Sequence, residues 1–346
     1  RTATAVQIKK VDGKTKMQPA EVYASTVNST VSINCSSQST NIFGQTTQSA
    51  SSGSGFIITK DGYVVTNHHV VSNASSIKVT LYNGNTYDAT VIGGDSDYDV
   101  AVLKINAAGL TPVTLGNSAD VNVGDSVLAI GNLLGELTFS MSGGYVSSCN
   151  RAINVDGTPF NMIQVDASIN PGNSGGALVD KDGKLIGINT LITSYSGNYS
   201  GVGFAIPVNY AVNLAQQIIA GETPTHAQLG VSLSTVSAAT ASRYGLPVDT
   251  GAYVAAVTPD SGAAAAGIVP GDIVTAFDGQ AVESASDLML DVRTKNPGDT
   301  VTLTVNSGGQ EKEVQVTLGD DSASQKAKQE QQSQEQSMNG YSLEDL

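Results

Sequence analysis

The chain is poor in charge and in cysteine and has no long apolar run, and each shortage excludes a class of protein. Charged residues make up 14% of the 346 residues, whereas soluble domains ordinarily contain about a quarter. No apolar run approaches the roughly eighteen residues that a membrane span requires, so the hydrophobic content of 40% predicts globular domains. Ser, Thr, Asn and Gly take the place of charge, which suits a secreted protein.

Acidic residues outnumber basic ones. The chain has 31 Asp and Glu against 17 Lys and Arg, which gives a formal net charge of −14. So acidic a chain repels phosphate backbones, and no cluster of Lys and Arg offsets this. No nucleic-acid partner is therefore expected.

The two cysteines, Cys35 and Cys149, allow one disulfide. Both stand in strand-like segments, and the sequence leaves open whether they form a bridge or remain two free buried thiols. An extracellular location would favour the bridge. No Cys/His cluster has the spacing of metal ligands, so neither a metal nor another cofactor is expected.

The segment DASINPGNSGGALVD at 166–180 predicts a nucleophile loop. Its serine stands among glycines, which adopt backbone angles that a Cβ would forbid. Such a loop can turn the N–H groups of Gly172, Asn173 and Ser174 towards one point. An oxyanion hole needs this arrangement, because its donors must be in place before negative charge develops. A glycine-rich serine loop is weak evidence by itself and requires a base.

A base and an acid are available upstream. His68 and His69 end a segment, 55–71, that reads as a β-hairpin around the turn at 60–62. A cluster of aspartates at 95–99 leads into the buried-strand run 100–105. A carboxylate there could accept the Nδ1–H of a histidine and fix its tautomer, which is the third role in a serine triad.

The same loop matches Gly-x-Ser-x-Gly, the nucleophile-elbow pattern of α/β-hydrolases. Two features argue against an elbow. An elbow serine opens a helix, whereas residues 175–188 read as strand, turn and strand. The hydrolase order also requires a histidine after the serine, and His226 lies in a stretch that resembles a linker.

Three blocks resemble the signature motifs of the HtrA (DegP/DegS-like) serine proteases, and the resemblance extends over about residues 22–318. The blocks are TNHHVV at 66–71, DVAVLK at 99–104 and NPGNSGG at 170–176. The resemblance implies a catalytic triad of His69, Asp99 and Ser174. It leaves His68 as a neighbour without a role, and Asp95 and Asp97 outside the triad.

The resemblance implies a mostly β fold, in which a chymotrypsin-like double β-barrel protease domain is followed by a small α+β PDZ domain. Short strands at intervals of about ten residues agree with two barrels that meet near 111–120, and 36–54 reads as a mobile surface loop. Helical spacing at 208–221 ends in a glycine. The expected segments are a lead-in at 1–21, a trypsin-like protease domain at 22–221, a linker at 222–227, a PDZ domain at 228–319 and a disordered polar tail at 320–346.

The PDZ resemblance rests on residues 262–279, and it makes Leu229, Gly230 and Val231 similar to the carboxylate-binding loop of that fold. A small residue there lets consecutive N–H groups face a peptide C-terminus, while the next strand takes the peptide by β-augmentation. Gln228 stands where the family often has an aromatic residue. A domain that serves only as a spacer or a regulatory lid is the alternative.

In enzymes of this fold the floor of the specificity pocket lies about six residues before the serine. That position is Ser168, beside Ile169, and the second wall is expected from Ile188, Asn189, Thr190 and Leu191. None of these carries a carboxylate to pair with Lys or Arg. A small or aliphatic residue before the scissile bond is therefore expected.

The resemblance implies an ATP-independent serine endopeptidase of extracytoplasmic protein quality control. It would cleave unfolded or misfolded proteins, respond to peptides with apolar C-termini at its PDZ domain and form a homotrimer. A bacterial cell-surface or secreted location follows, with an anchor upstream of Arg1 left open. The alternatives are a peptide-binding chaperone with an inactive protease fold and, more weakly, a scaffold protein.

Overall fold

The computed structural model describes residues 18–40, 46–133, 137–155, 158–190 and 201–322. The chain divides into two compact units, 1–224 and 225–346. Among the described residues, no helix has the length and apolar character to cross a bilayer.

The first unit begins with a closed barrel of six antiparallel strands, hydrogen-bonded in the order β1-β2-β3-β6-β5-β4. Ile33, Ile57 and Leu103 fill its interior. Of the hairpin expected at 55–71, the pairing of β2 with β3 is confirmed, with Gly62 at φ +102° in the turn, whereas residues 68–71 are helical. The strands are β1 Thr30–Thr40, β2 Thr46–Ile57, β3 Tyr63–Thr66, β4 Ser76–Leu81, β5 Thr86–Asp95 and β6 Val100–Ile105.

A second closed barrel follows in the same unit, with the order β10-β11-β12-β9-β8-β7. Ile163, Leu178 and Ala205 lie in its core. The strand, turn and strand expected after the serine are β10 and β11, which confirms that no helix follows the nucleophile. The strands are β7 Ser126–Leu133, β8 Leu137–Val155, β9 Thr158–Val165, β10 Ala177–Asp180, β11 Leu185–Thr190 and β12 Gly203–Pro207.

Among the described residues of this unit, three α-helices accompany the barrels: α1 Pro19–Thr26, α2 His68–Val71 and α3 Val208–Ile219. The buried residues of α3 recur every three or four positions, as an amphipathic helix requires, and they pack between β6 and β11. Gly221 follows α3 at φ +79°, as the sequence predicted for its end. α3 therefore joins the two barrels through one shared core.

The second unit contains a sheet in the order β14-β15-β16-β18-β19, with β17 beside β16 and a separate pair β13–β20. Its core includes Val254, Leu288 and Leu303. The elements are β13 Ala227–Gln228, β14 Val231–Val236, α4 Ala238–Tyr244, β15 Gly251–Val257, α5 Gly262–Ala265, β16 Ile273–Phe277, β17 Gln280–Ala281, α6 Ala285–Arg293, β18 Thr300–Ser307, β19 Gln310–Thr317 and β20 Gly319–Asp320.

Three local expectations were wrong. Residues 36–40 and 46–54 are strand, because β1 and β2 stay paired from Thr30↔Phe56 to Thr40↔Thr46. The segment 1–21 is not irregular throughout, since α1 begins at Pro19, which is favourable at a helix start. Pairing with β13 makes β20 a strand, so the second unit continues past residue 319. Residues 323–346 of the expected tail lie outside the described residues.

The two cysteines are free thiols in different barrels. Cys35 on β1 is buried in the core of the first barrel. Cys149 on β8 is partly buried against the second, and its Sγ donates to Val121 O at 3.1 Å. Burial raises the pKa of both thiols. Of the two alternatives, the structure has the free thiols and not the bridge.

Candidate active site

A histidine and an aspartate meet at the place where strand β3 ends and strand β6 begins. His69 Nδ1 lies 2.7 Å from Asp99 Oδ2, and the backbone N–H of His69 donates to Asp99 Oδ1 at 2.9 Å. The His69 side chain is 48% exposed, whereas that of Asp99 is 20% exposed. One carboxylate therefore orients both the ring and the backbone of a histidine whose far side faces solvent.

Neighbouring strands create this contact. β3 pairs with β6 from Tyr63↔Lys104 to Thr66↔Ala101, which places the residue before β6 beside the residues after β3. Asp99 has φ +54°, a left-handed conformation that Asp tolerates better than most residues. Asn67 Nδ2 donates to Asp99 O at 2.9 Å. The expectation that His69 would sit on a strand was wrong, because the chain turns into α2 to make these contacts.

The second barrel adds a contact that sequence reasoning missed. Thr190, at the end of β11, donates its hydroxyl to Asp99 Oδ2 at 3.3 Å. The carboxylate of Asp99 thus accepts from three groups. The third of these donors comes from a residue that is distant from Asp99 in the sequence. No local pattern around Thr190 indicates that its hydroxyl would contact Asp99.

The nucleophile loop opens with a β-turn at residues 170–173. Asn173 N donates to Asn170 O at 3.0 Å, and Gly172 has φ +95°. Proline at the second position and a glycine with positive φ at the third are the signature of a type II turn. The predicted left-handed glycine is therefore confirmed at Gly172, where a Cβ would be strained.

This turn limits the donors that can face a substrate. The N–H of Asn173 is used within the turn, so its assignment to the oxyanion hole was wrong. The Asn173 side chain instead reaches Ser168 O, with an Nδ2···O distance of 3.3 Å. The N–H groups of Gly172 and Ser174 remain the two candidates for holding an oxyanion.

Close backbone packing places the loop against the histidine. A Cβ at Gly175 would lie 2.2 Å from Thr66 Oγ1 and 3.0 Å from Asn67 N, the residues just before α2. A Cβ at Gly53 would likewise lie 2.6 Å from Val70 Cγ1 and 3.2 Å from Ser174 O. Gly175, the residue after Ser174, is therefore packed against the residues just before α2, and only glycine allows this approach.

The residues expected to form the specificity pocket differ in their burial and in their contacts. Ile188 is fully enclosed in the core, so it offers no surface to a substrate side chain. Asn189 O accepts from Gly175 N at 2.8 Å, and Asn189 N donates to Gly176 O at 2.9 Å, so Asn189 holds the nucleophile loop. Leu191 lies outside the described residues. Ser168, partly buried, and Ile169, buried, stand next to the loop, and their pocket role stays a prediction.

The remaining charged and histidine candidates have other partners. Asp95 Oδ1 accepts from Tyr98 N at 2.7 Å, which closes the turn before β6. The ring of His68 packs against Gly94, where a Cβ would lie 2.7 Å from its Cδ2. His226 belongs to the second unit, where its Nδ1 lies 2.6 Å from Asp321 Oδ2.

The expected carboxylate loop of the second unit leads into an edge strand. Gly230 has φ +78°, and a Cβ there would lie 2.2 Å from Ser261 Cβ. Leu229 is buried in the core, and Val231 begins β14, which ends the sheet order. An edge strand with a glycine turn before it is the arrangement that accepts a peptide by β-augmentation.

Comparison with known proteins agrees with both units. Residues 53–188 match the family model of the trypsin-like peptidase domain, and residues 227–318 match that of the PDZ domain. The chain is 43% identical to a probable periplasmic serine endoprotease DegP-like of Halomonas elongata, over 82% of this chain and 59% of that protein. It is also 43% identical to the periplasmic pH-dependent serine endoprotease DegQ of Escherichia coli, over 77% of this chain and 59% of that protein.

Solved structures cover the chain more fully. The HtrA-type protease AlgW with decapeptide is 34% identical, with a TM-score of 0.69, over 87% of this chain and 98% of that one. The serine endoprotease from Yersinia pestis is 31% identical, with a TM-score of 0.58, over 86% and 96%. The chain thus spans about 59% of the length of the curated relatives and nearly the whole of these structures.

Proposed function

Because this chain belongs to the HtrA family of serine proteases, we propose that it hydrolyses peptide bonds with a triad of His69, Asp99 and Ser174. The observation that carries the proposal is the double hydrogen bond from His69 to one carboxylate of Asp99. This contact fixes the tautomer that leaves Nε2 free to accept a proton. A histidine so held can activate the serine of the glycine-rich loop for acyl transfer.

In the proposed mechanism, Ser174 Oγ attacks the peptide carbonyl while His69 Nε2 takes its proton. Asp99 stabilises the imidazolium that forms, and the N–H groups of Gly172 and Ser174 stabilise the oxyanion. His69 then donates the proton to the leaving amine. Water attacks the acyl-enzyme by the same route and regenerates Ser174.

The proposed substrates are unfolded or misfolded proteins outside the cytoplasm of a bacterium. The relatives are named periplasmic endoproteases, which supports the location and protein substrates. The preference for unfolded proteins is proposed from the family resemblance. A small or aliphatic residue before the scissile bond is the proposed preference, since Ser168 and Ile169 carry no charge. Independence of ATP is also proposed from the family resemblance. A homotrimer is proposed from the family resemblance alone.

The second unit is proposed to regulate cleavage by binding peptide C-termini. Edge strand β14 would pair with the peptide backbone, and the loop at Leu229, Gly230 and Val231 would take the terminal carboxylate. The AlgW structure was solved with a decapeptide. An apolar terminal residue is the proposed requirement, since the core beneath this loop is apolar.

The test is cleavage of β-casein by the wild type and by Ser174→Ala, with and without peptides that end in an apolar residue. We expect cleavage that Ser174→Ala abolishes, with a loss of about 10⁴-fold or more, and that peptide increases. A fluorophosphonate should label only the wild type. No cleavage and no labelling under any condition would overturn the protease and leave the peptide-binding chaperone.

A further inference from the structure

The hydroxyl of Ser54 lies behind the nucleophile turn, fully buried in β2. Its Oγ is 2.7 Å from Gly172 O and 2.7 Å from Asn132 N. The main chain of Ser54 is also engaged, because its N–H donates to Ser174 O at 2.8 Å and its carbonyl accepts from Thr66 Oγ1 at 2.7 Å. All polar groups of Ser54 thus have partners, and two of those partners, the carbonyl oxygens of Gly172 and Ser174, belong to the nucleophile loop.

The direction of the hydroxyl proton follows from chemistry. Asn132 N–H can only donate, so Ser54 Oγ accepts from it. Gly172 O can only accept, so the single proton of the hydroxyl points to Gly172. No other arrangement satisfies both neighbours, and the buried hydroxyl therefore acts as a one-way donor to the turn.

This donor fixes a peptide plane whose other end is fixed as well. The C=O and N–H of a trans peptide point in opposite directions. In the Gly172–Asn173 peptide the carbonyl accepts from Ser54 Oγ, and the N–H donates to Asn170 O. The N–H groups of Gly172 and Ser174 belong to the two neighbouring peptides, which meet this one at the Cα atoms of Gly172 and Asn173. Holding this peptide at both ends therefore fixes the two Cα atoms from which those N–H groups are oriented.

We propose that Ser54 is a positioning residue of the oxyanion hole, whose hydroxyl keeps the Gly172–Asn173 peptide in the orientation that presents the Gly172 and Ser174 N–H groups to the substrate. The inference rests on the proposed peptidase function and deepens it. Ser54 does not touch the reacting atoms, and it acts through the turn.

The chain contains a matched control for this hydroxyl. Ser32 on β1 is the cross-strand partner of Ser54, and it is 1% exposed. Its Oγ accepts from Asn132 Nδ2 at 2.9 Å, whereas Asn132 N donates to Ser54. The two serines therefore share type, burial and a partner residue, but only Ser54 donates to the turn.

Loss of the Ser54 hydroxyl should weaken binding of the transition state more than binding of the substrate. Loss of one oxyanion donor costs about 10²–10³-fold in kcat, and loss of its orientation should cost less. We expect Ser54→Ala to lower kcat on a peptide substrate by about 10- to 100-fold with KM within about threefold. A peptide boronic acid, whose tetrahedral adduct places an oxygen in the hole, should lose affinity by a similar factor.

The experiment measures kcat, KM, boronate inhibition and melting temperature for the full chain as wild type, Ser54→Ala, Ser54→Cys and Ser32→Ala. Ser32→Ala should lose stability but keep kcat and boronate affinity within about threefold of the wild type. Ser54→Cys, a weaker donor, should fall between wild type and Ser54→Ala, and it decides the matter if Ser54→Ala does not fold.

A kcat and boronate affinity unchanged in the folded Ser54 variants would overturn the positioning role. An equal loss in Ser32→Ala would overturn it too, because the effect would then be one of general stability. A wild type that neither cleaves nor reacts with a fluorophosphonate is a different result, since it overturns the peptidase function itself.

Discussion

Thr190 and Asp99 are joined across the two barrels of the first unit, with the threonine hydroxyl 3.3 Å from Asp99 Oδ2. The same oxygen faces His69 Nδ1 at 2.7 Å. The acid of the proposed triad is thus held from the first barrel by His69 and from the second by Thr190. A relative movement of the two barrels would therefore change the contacts of the Asp99 carboxylate.

Thr190→Val should lower kcat by about threefold to tenfold, with KM little changed. Valine keeps the shape of threonine but cannot donate to Asp99, and a hydrogen bond to a charged group contributes about 1.5–3 kcal/mol at most. Steady-state cleavage of a peptide substrate measures the change. Thr190→Ser keeps the donor and should stay close to the wild type, so equal losses in both variants would exclude the hydrogen bond as the cause.

Asp99→Asn should lower kcat by about 10⁴-fold without unfolding the protein. An amide cannot accept from both the backbone and the ring of His69 as the carboxylate does, so the ring tautomer is lost. Activity and melting temperature are measured together. Asp95→Asn serves as the control, because an amide oxygen still accepts from Tyr98 N; a comparable loss there would contradict the assignment of Asp99.

Gly172→Ala should lower kcat at least tenfold, because φ +95° is strained for alanine and the turn would rearrange. Gly109→Ala is a matched control. Gly109 also has a positive φ, +71°, but a Cβ there meets nothing within 4 Å and the residue lies outside the site. Both variants should lose stability, and only Gly172→Ala should lose turnover. Full activity of Gly172→Ala would argue against the turn as the oxyanion hole.

Leu214→Ala should reduce the free energy of unfolding by about 2–5 kcal/mol, because it leaves a cavity in the core that α3 shares with both barrels. Urea unfolding followed by circular dichroism measures the change. Gln216→Ala, on the exposed side of the same helix, should stay within about 0.5 kcal/mol of the wild type. Similar effects at both positions would contradict the packing of α3.

The raised pKa of Asp291 predicts that the stability of the second unit depends on pH. Burial, with a smaller contribution from the nearby Asp287 carboxylate, raises the pKa of Asp291 to about 6. A carboxyl whose folded pKa exceeds its unfolded value stabilises the fold at low pH, and that stability is lost as pH rises from about 4 through 6. The full chain should therefore show a lower melting temperature for this unit at pH 8 than at pH 4.

Asp291→Asn should remove this part of the dependence. It should raise the free energy of unfolding at pH 8 by an amount on the order of 1 kcal/mol, after allowance for the partial exposure of Asp291, and change it little at pH 4. Asp249→Asn, at an exposed position, is the control. A stabilisation by Asp291→Asn that is equal at both pH values would contradict the raised pKa.

Local patterns explain which parts of the fold were predictable. The turn at Gly62, the helix at 208–219 and the strands after Ser174 depend on neighbouring residues, and the structure confirms each of them. The paired strands at 36–40 and 46–54 were mistaken for a loop because their serines and threonines resemble loop composition. Their strand character comes from the pairing of β1 with β2, as in the Ser37–Ser49 hydroxyl contact of 2.7 Å.

The sequence alone indicated the turns, strands and helix that depend on neighbouring residues. Through short motifs that resemble those of HtrA proteases, it also indicated the family, the two kinds of domain and the proposed triad. Only the tertiary structure decided what supports the triad. Thr190 meets Asp99 over 91 positions, and Ser54 meets Gly172 over 118. Such hydrogen bonds depend on how barrels and turns pack, and a serine or threonine carries no local sign of the partner that packing will bring to it.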